Sequence, residues 1–219
     1  MEAEAKKSME QSILEAAEEV FLEKGFSQAS TTDIAKKVGC NQALIHYYFR
    51  TKEKLFDLIF ENKMVLFLEQ FLKINSEDVD FHERVKRIIE SHFDLLVANP
   101  NFPKLLVSEL LSRPKRLAAL GSIFEKKAKR MLQTMQTKID EEVQRGTIRP
   151  INSIDLFVSI ISLNVGVFLL RPVLENVAHF SADDIAEILA SRKRENVTMI
   201  LSSLKIEKMP PQAPPKEGM

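Results

Sequence analysis

Segment 42–49 concentrates the side chains of this chain that could read another macromolecule. Its polar and aromatic members are Gln42, His46, Tyr47 and Tyr48. The chain contains 2 tyrosines, and both fall in this segment. Amide, imidazole and phenol groups on one short helix suit hydrogen bonds to base edges and phosphate oxygens. Because Leu44, Ile45 and Phe49 could supply an apolar inner face, the segment predicts a short helix with one polar side.

Two further helices must position this segment. An apolar stripe at helical spacing from Ile13 to Phe21 predicts an amphipathic helix, which Gly25 should end. Ser30-Thr31-Thr32-Asp33 is a capping box that begins a second helix, and Gly39 should end it. Two short helices joined around a glycine and packed on a preceding helix are typical of a helix-turn-helix, here residues 30–49.

Basic charge is concentrated at the same place. Between Lys24 and Lys54 there are 6 basic residues and 2 acidic ones, a local charge of +4. The whole chain is balanced, with 31 Lys and Arg against 31 Asp and Glu. Local rather than overall charge would therefore have to neutralise the phosphates of a nucleic acid.

The remaining sequence shows helical periodicity and neither an alternating strand pattern nor an internal repeat. Pro172 should interrupt one of its helices, and Gly121 should bend another. The expected segments are 52–74, 79–98, 103–111, 114–145, 153–177 and 181–204. We therefore expect an all-α fold of about nine helices.

Composition excludes several classes of protein. The chain has 219 residues, of which 45% are hydrophobic, so a buried core is expected rather than disorder. One cysteine, Cys40, excludes an intrachain disulfide framework. The polar start has no apolar leader, and the apolar run 156–170 contains two serines and an asparagine, short of a membrane span. We expect a soluble, cytoplasmic protein without a membrane partner.

A set of characteristic positions extends over residues 8–60. They are Ile13-Leu14-Glu15-Ala16-Ala17, Phe21, Lys24-Gly25-Phe26, Thr32-Asp33-Ile34-Ala35-Lys36-Lys37-Val38-Gly39 and Gln42-Ala43-Leu44-Ile45-His46-Tyr47-Tyr48-Phe49-Arg50-Thr51-Lys52-Glu53-Lys54-Leu55-Phe56. In these residues the chain resembles the tetracycline-repressor (TetR) family of transcriptional regulators, in its drug-efflux-regulator branch. The resemblance implies a homodimer that binds a palindromic double-stranded DNA operator and is released by a small-molecule inducer.

The resemblance also implies a role for each residue of the motif. Ser30 would cap the first helix of the motif. The residues that would contact DNA are Thr31 and Thr32 at phosphates or the groove edge, Gln42, Ala43 and Leu44 at bases, and His46, Tyr47, Tyr48 and Lys52 at the backbone. Leu44 could equally be a core residue. Since the family usually has tyrosine at His46, that phosphate contact is expected to be weaker or pH-sensitive.

The resemblance divides the chain into a DNA-binding domain, 1–51, a regulatory domain, 52–204, and a disordered tail, 205–219. Aromatic and methionine side chains of the regulatory domain would form an adaptable apolar pocket. The expected lining is Met64, Phe67, Phe71, His92, Phe93, Phe102, Phe124 and Met131. Few charged residues fall on these inner faces, so a hydrophobic or aromatic inducer is expected. The resemblance implies efflux or transport genes as the regulated genes.

The last two long helices are expected to form the dimer interface. The first is apolar on most sides and cannot face water, while Gly166 and two serines would let a neighbouring backbone approach. The expected interface residues are Phe157, Ile160, Ile161, Phe168, Ile188, Val197, Ile200 and Leu201. The alternative is that this helix is buried entirely within its own chain.

Two other function classes stay open at this point. One is a helical small-molecule-binding protein without operator binding, against which the local positive charge argues. The weaker one is an enzyme, because no Gly-rich phosphate loop, nucleophile elbow, paired-carboxylate motif or metal-ligand spacing is present. We therefore expect no catalytic residue, cofactor or metal.

Overall fold

The computed structural model describes residues 2–112 and 122–206. Within these ranges it contains nine helices and no strand, which confirms the all-α expectation. They are α1 Glu2–Gln28, α2 Thr31–Val38, α3 Gln42–Phe49, α4 Lys52–Asn75, α5 Phe81–Ala98, α6 Phe102–Ser112, α7 Ser122–Gln144, α8 Ser153–Asn176 and α9 Ala182–Ser203. The predicted start at Pro114, the bend at Gly121 and most of the predicted tail, 207–219, lie outside the described residues.

An N-terminal core joins α1, α2, α3 and the first half of α4. Phe21, Phe26 and Phe56 form its centre, with the Phe56 ring centroid 5.0 Å from each of the other two. Phe102 and Leu105 of α6 are buried in the same cluster. The predicted domain boundary between residues 51 and 52 therefore falls inside a continuous core, because α4 packs its first two turns against α1.

A C-terminal core joins the second half of α4 with α5, α7, α8 and α9. Arg84 closes the turn between α4 and α5 from inside. Its guanidinium donates to the carbonyl oxygens of Ile74, Asn75, Glu77 and Val79 at 2.7–2.9 Å. Four carbonyl oxygens thus satisfy a charge that is only 3% exposed.

Helix α8 continues through Pro172, so the predicted interruption is wrong. Proline removes one backbone donor, and here it does so near the end of the helix, where only one turn follows. By length and composition α8 could span a membrane, with a mean hydropathy of 2.1 in its most apolar window. This differs from the expectation based on the apolar run 156–170, because the whole helix is longer than that run. In the structure, one ridge of the helix lies in the protein interior: Leu156, Ile160, Asn164 and Phe168 are all buried.

Candidate DNA-reading helix and ligand cavity

Local hydrogen bonds fix both ends of α2. Ser30 Oγ accepts from the Asp33 backbone N–H at 3.1 Å, and the Asp33 carboxylate accepts from the Ser30 backbone N–H at 3.1 Å. Together with the Lys24 ammonium at 3.1 Å, the Ser30 hydroxyl holds the pKa of Asp33 below its usual value. Gly39 ends the helix in the left-handed conformation, at φ 77°. The capping box and glycine stop are therefore formed as the sequence predicts.

Helix α3 follows at once and turns one side outward. Asn41 caps it, because its side-chain oxygen accepts from the Ala43 backbone N–H at 2.9 Å. Ile45 and Phe49 are buried against the N-terminal core. The exposed residues are Gln42, Ala43, Leu44, His46 and Tyr47, while Tyr48 is half-buried. Leu44 thus lies on the outer side rather than in the core.

Gln42 is held in place by α2 rather than extended freely into solvent. Its amide nitrogen donates to the Thr31 hydroxyl at 2.7 Å, and its amide oxygen accepts from the Thr32 hydroxyl at 3.4 Å. Three side chains predicted to contact DNA therefore form one polar group across the two helices of the motif. Such contacts limit the rotamers of Gln42 in the absence of DNA.

Lys52 is largely occupied within the chain. Its ammonium donates to the carbonyl oxygens of Phe26 and Ala29, at 2.9 Å each, and lies 4.3 Å from the centroid of the Phe26 ring. These contacts join the end of α1 to the start of α4. An ammonium has three donors, so one remains for a phosphate.

The local positive charge is only partly available. Lys24 pairs with Asp33, and Lys37 pairs with Glu19 at 2.5 Å. Among the described residues, the basic side chains of the motif without an ion-pair partner or an internal carbonyl contact are Lys36, Arg50 and Lys54. Exposed cations therefore remain before and after α3 along the chain, although they are fewer than the 6 basic residues between Lys24 and Lys54 in the sequence.

A cavity of about 350 Å³ lies between α4, α5, α6, α7 and α8. This volume is within the range of small-molecule sites. Seven of the residues predicted to form a pocket line it: Met64, Phe67, Phe71, His92, Phe102, Phe124 and Met131. The sequence missed nine others, which are Leu68, Leu96, Pro103, Leu106, Ala128, Leu132, Phe157, Ile161 and Val165. Their helical spacing alone does not distinguish a cavity wall from a filled core.

Phe93 is a correction to the predicted lining. It is 1% exposed and packs against Phe168, with ring centroids 5.4 Å apart, away from the cavity. Phe93 follows His92 directly, and neighbouring residues on a helix point in directions about 100° apart. In α5 this step turns Phe93 toward Phe168 while His92 faces the cavity.

Several predicted interface residues lie inside their own chain. Ile160, Phe168 and Ile200 are 2–4% exposed, so they cannot form a surface for a second chain. Phe157 and Ile161 line the cavity. Ile188, Val197 and Leu201 are half-buried. The outer side of α8 instead carries exposed apolar side chains, namely Ile154, Val158, Leu169, Leu170 and Val173.

Phe102 connects the cavity to the N-terminal core. It lines the cavity and stacks on Phe67 at a centroid distance of 5.2 Å, yet it also meets Phe60 at 6.1 Å. Beside it, the Lys63 ammonium contacts Glu18 of α1 at 2.6 Å and the Asn99 side chain at 3.0 Å. A displacement of α6 would therefore change its contacts with α4, and through Lys63 and Glu18 those with α1.

His92 is a titratable side chain in the cavity wall and is 4% exposed. Burial lowers its pKa to about 4, because the charged imidazolium would lose its hydration. Its Nδ1 lies 3.0 Å from the side-chain nitrogen of Asn164 on α8, which in turn is bonded to Asn196 on α9. The cavity is thus tied by hydrogen bonds to the last helix.

Two family models match the chain. One describes bacterial regulatory proteins of the tetR family and matches residues 13–59, and the other describes a tetracyclin repressor-like C-terminal domain and matches residues 82–200. The fatty acid metabolism regulator protein of Bacillus subtilis is 31% identical over 137 residues, which cover 63% of this chain and 69% of that protein. The transcriptional repressor NicS of Pseudomonas putida is 30% identical over 99 residues, 45% of this chain and 47% of that protein.

Solved structures share the fold. FadR from Bacillus subtilis, solved in complex with stearoyl-CoA, is similar with a TM-score of 0.61 at 21% sequence identity. The similarity covers 89% of this chain and 98% of that one. The family models thus match the helix-turn-helix and, from residue 82 onward, the cavity helices that follow α4. This chain belongs to the tetR family of bacterial regulatory proteins and is a DNA-binding transcriptional regulator.

Proposed function

We propose that the protein is a ligand-relieved repressor that binds a palindromic operator as a homodimer. The observation that carries the proposal is the outward side of α3, which is exposed, carries Gln42, His46 and Tyr47, and is held by caps at both α2 and α3. One such helix contacts few base pairs, so operator selectivity requires two copies related by two-fold symmetry.

In this proposal Gln42 reads a base, because its amide can form two hydrogen bonds with adenine in the major groove. Ala43 and Leu44 offer apolar contact to thymine methyl groups. The phosphate contacts come from Thr31, Thr32, His46, Tyr47 and Tyr48. Lys52 contributes to phosphate binding through its remaining donor and positions α1 through the other two.

We propose that the outer side of α8 provides the dimer interface. Ile154, Val158, Leu169 and Val173 follow one side of the helix and are 40–54% exposed. A Cβ placed at Gly166, on the same side, would meet no atom within 4 Å, so nothing in the described chain requires a glycine there. A closely approaching helix of a second chain would use both features.

The ligand is proposed to be a long apolar molecule of the fatty acyl class. Support comes from the apolar wall of the cavity and from the name of the Bacillus subtilis relative, a fatty acid metabolism regulator. The regulated genes would then belong to fatty acid metabolism. Control of efflux or transport genes by an aromatic inducer is the second candidate, because five of the lining residues are phenylalanines.

Induction is proposed to pass through Phe102 and α4. A ligand in the cavity presses on Phe102, which contacts both Phe67 and Phe60. Since α4 joins the motif to the cavity wall, its displacement would change the separation of the two α3 helices. A separation that no longer matches the repeat of about 34–36 Å along DNA releases the operator.

The test is selection of bound fragments from a library of bacterial genomic DNA at low salt. We expect recovery of fragments that share a palindrome, and we expect stearoyl-CoA or another acyl-CoA to release them. Recovery of no fragment would contradict operator binding. Release by aromatic drugs but by no acyl compound would favour the second candidate.

The dimer is tested by sedimentation of the native chain and of V158E. We expect a native dimer at micromolar concentration and a folded monomeric variant, because Val158 is exposed within its own chain. I160E serves as a comparison, since the burial of Ile160 predicts unfolding instead. A native monomer would rule out the proposed interface.

A further inference from the structure

The cavity wall contains one polar side chain among its described residues, that of His92. Its ring lies beside Phe67 and Phe71, with centroids 5.8 Å away in both cases. A polar group enclosed by apolar side chains is unfavourable unless each donor and acceptor finds a partner. The hydrogen bonds around the ring therefore indicate what it offers to a ligand.

Arg192 fixes the direction of those hydrogen bonds. A guanidinium only donates, so the Asn196 side-chain oxygen, 2.7 Å from Nη2 of Arg192, accepts. Asn196 then donates through its nitrogen to the Asn164 side-chain oxygen at 2.9 Å. The Asn164 nitrogen is left facing the carbonyl oxygen of Ile89 at 2.9 Å and Nδ1 of His92 at 3.0 Å. It donates to both, so Nδ1 of His92 is an acceptor.

A neutral imidazole with an accepting Nδ1 carries its proton on Nε2. Burial keeps the ring neutral at physiological pH, since it lowers the pKa of His92 to about 4. None of the described residues forms a hydrogen bond with Nε2. The ring thus contributes one unpaired N–H donor to a wall whose other described members are apolar.

We propose, building on the ligand-binding role proposed above, that His92 donates from Nε2 to a neutral carbonyl oxygen on an apolar ligand and thereby determines specificity. No lysine or arginine is among the described residues of the wall. A bound carboxylate would therefore lose its hydration without gaining a countercharge. An ester or thioester oxygen accepts the same hydrogen bond without that cost. A plain hydrocarbon leaves the donor without a partner.

The test compares three probes of similar chain length, namely methyl undecanoate, tridecane and undecanoate, by displacement of Nile red from the full chain at neutral pH. We expect the ester to bind about five- to ten-fold more tightly than the hydrocarbon, the contribution of one hydrogen bond. The carboxylate should bind most weakly. Equal affinity of ester and hydrocarbon, or tightest binding by the carboxylate, overturns the role of His92. Binding of no probe overturns the ligand-binding role as well, which distinguishes the two failures.

Two variants assign the preference to the ring. H92L should bind tridecane at least as tightly as the wild type, because no donor is left without a partner, and it should lose the preference for the ester. H92Q should keep part of it, since an amide also donates. An unchanged preference in folded H92L overturns the proposal.

The protonation of the ring can also be measured in the wild type, so this test does not require the variants to fold. Nitrogen NMR of the His92 ring should show the proton on Nε2, and the ester but not tridecane should shift its resonance. A proton on Nδ1 overturns the proposal.

Discussion

The two cores of this chain fill their space to different degrees. In the N-terminal core, Phe21, Phe56 and their neighbours leave a gap of about 10 Å³, less than the volume of one water molecule. The C-terminal core, with the same kinds of side chain, borders a cavity of about 350 Å³ that also reaches Phe102 of the N-terminal core. Apolar composition therefore does not determine whether helices close on one another. The filled core buries Ile45 and Phe49 of α3, and the hollow core leaves room for a small molecule.

The largest expected effect is on stability, from truncation of a ring in the filled core. F56A should lower the free energy of unfolding by about 3–5 kcal/mol, because it opens a void that the tightly packed neighbours cannot close. F124A, at the edge of the cavity, should cost less than half as much, because Phe124 is only half-buried. Urea unfolding of both variants measures the difference, and equal losses would remove the contrast between the cores.

Acid should weaken the hollow core through His92. Its pKa is about 4 in the folded chain and 6.5 in the unfolded chain, so between these values only the unfolded chain binds the proton. Stability therefore falls as the pH drops from 6.5 to 4, by about 3 kcal/mol in total, and is unaffected by His92 above that window.

Urea unfolding of the wild type and H92Q across this window isolates the contribution. Carboxylates titrate in the same range, but they do so in both proteins and cancel in the difference. Parallel pH profiles for the two proteins would show that the ring is not buried in the neutral form.

A smaller effect, on operator affinity, is expected when the filled core is left intact and only the exposed side of α3 is changed. Q42A should lower operator affinity by about 1–3 kcal/mol and relax the preference at one base pair per half-site. The matched control is K36A, which removes an exposed cation and should weaken all DNA sequences alike while reducing the salt dependence. Binding to a series of mutated operators distinguishes them, and unaltered selectivity of Q42A would refute base reading by this residue.

Filling the hollow core should change stability least. A128L extends a half-buried alanine of the wall into the cavity, so it should exclude ligand while operator affinity and stability stay within about 0.5 kcal/mol of the wild type. Operator release by acyl-CoA would be lost. Loss of DNA binding by the same variant would mean that the cavity wall is needed for folding rather than for response.

The sequence predicted the helix-turn-helix well, and the reason is local. The Ser30–Asp33 box and the Gly39 stop act over a few residues and need no distant partner. The roles of Gln42 and Lys52 were less predictable, because their partners are distant in sequence. Lys52 bonds carbonyl oxygens at residues 26 and 29, which no pattern around residue 52 indicates.

Local sequence patterns were enough to predict an all-α chain, the bounds of α3 and the apolar character of α8. The different sides of α8 are assigned by its packing: Phe168 packs on Phe93, Phe157 and Ile161 face the cavity, and Val158 is exposed. A helix that is apolar on most sides carries no periodic contrast, so its pattern cannot identify which side meets which neighbour. Those assignments come from the helices packed around it.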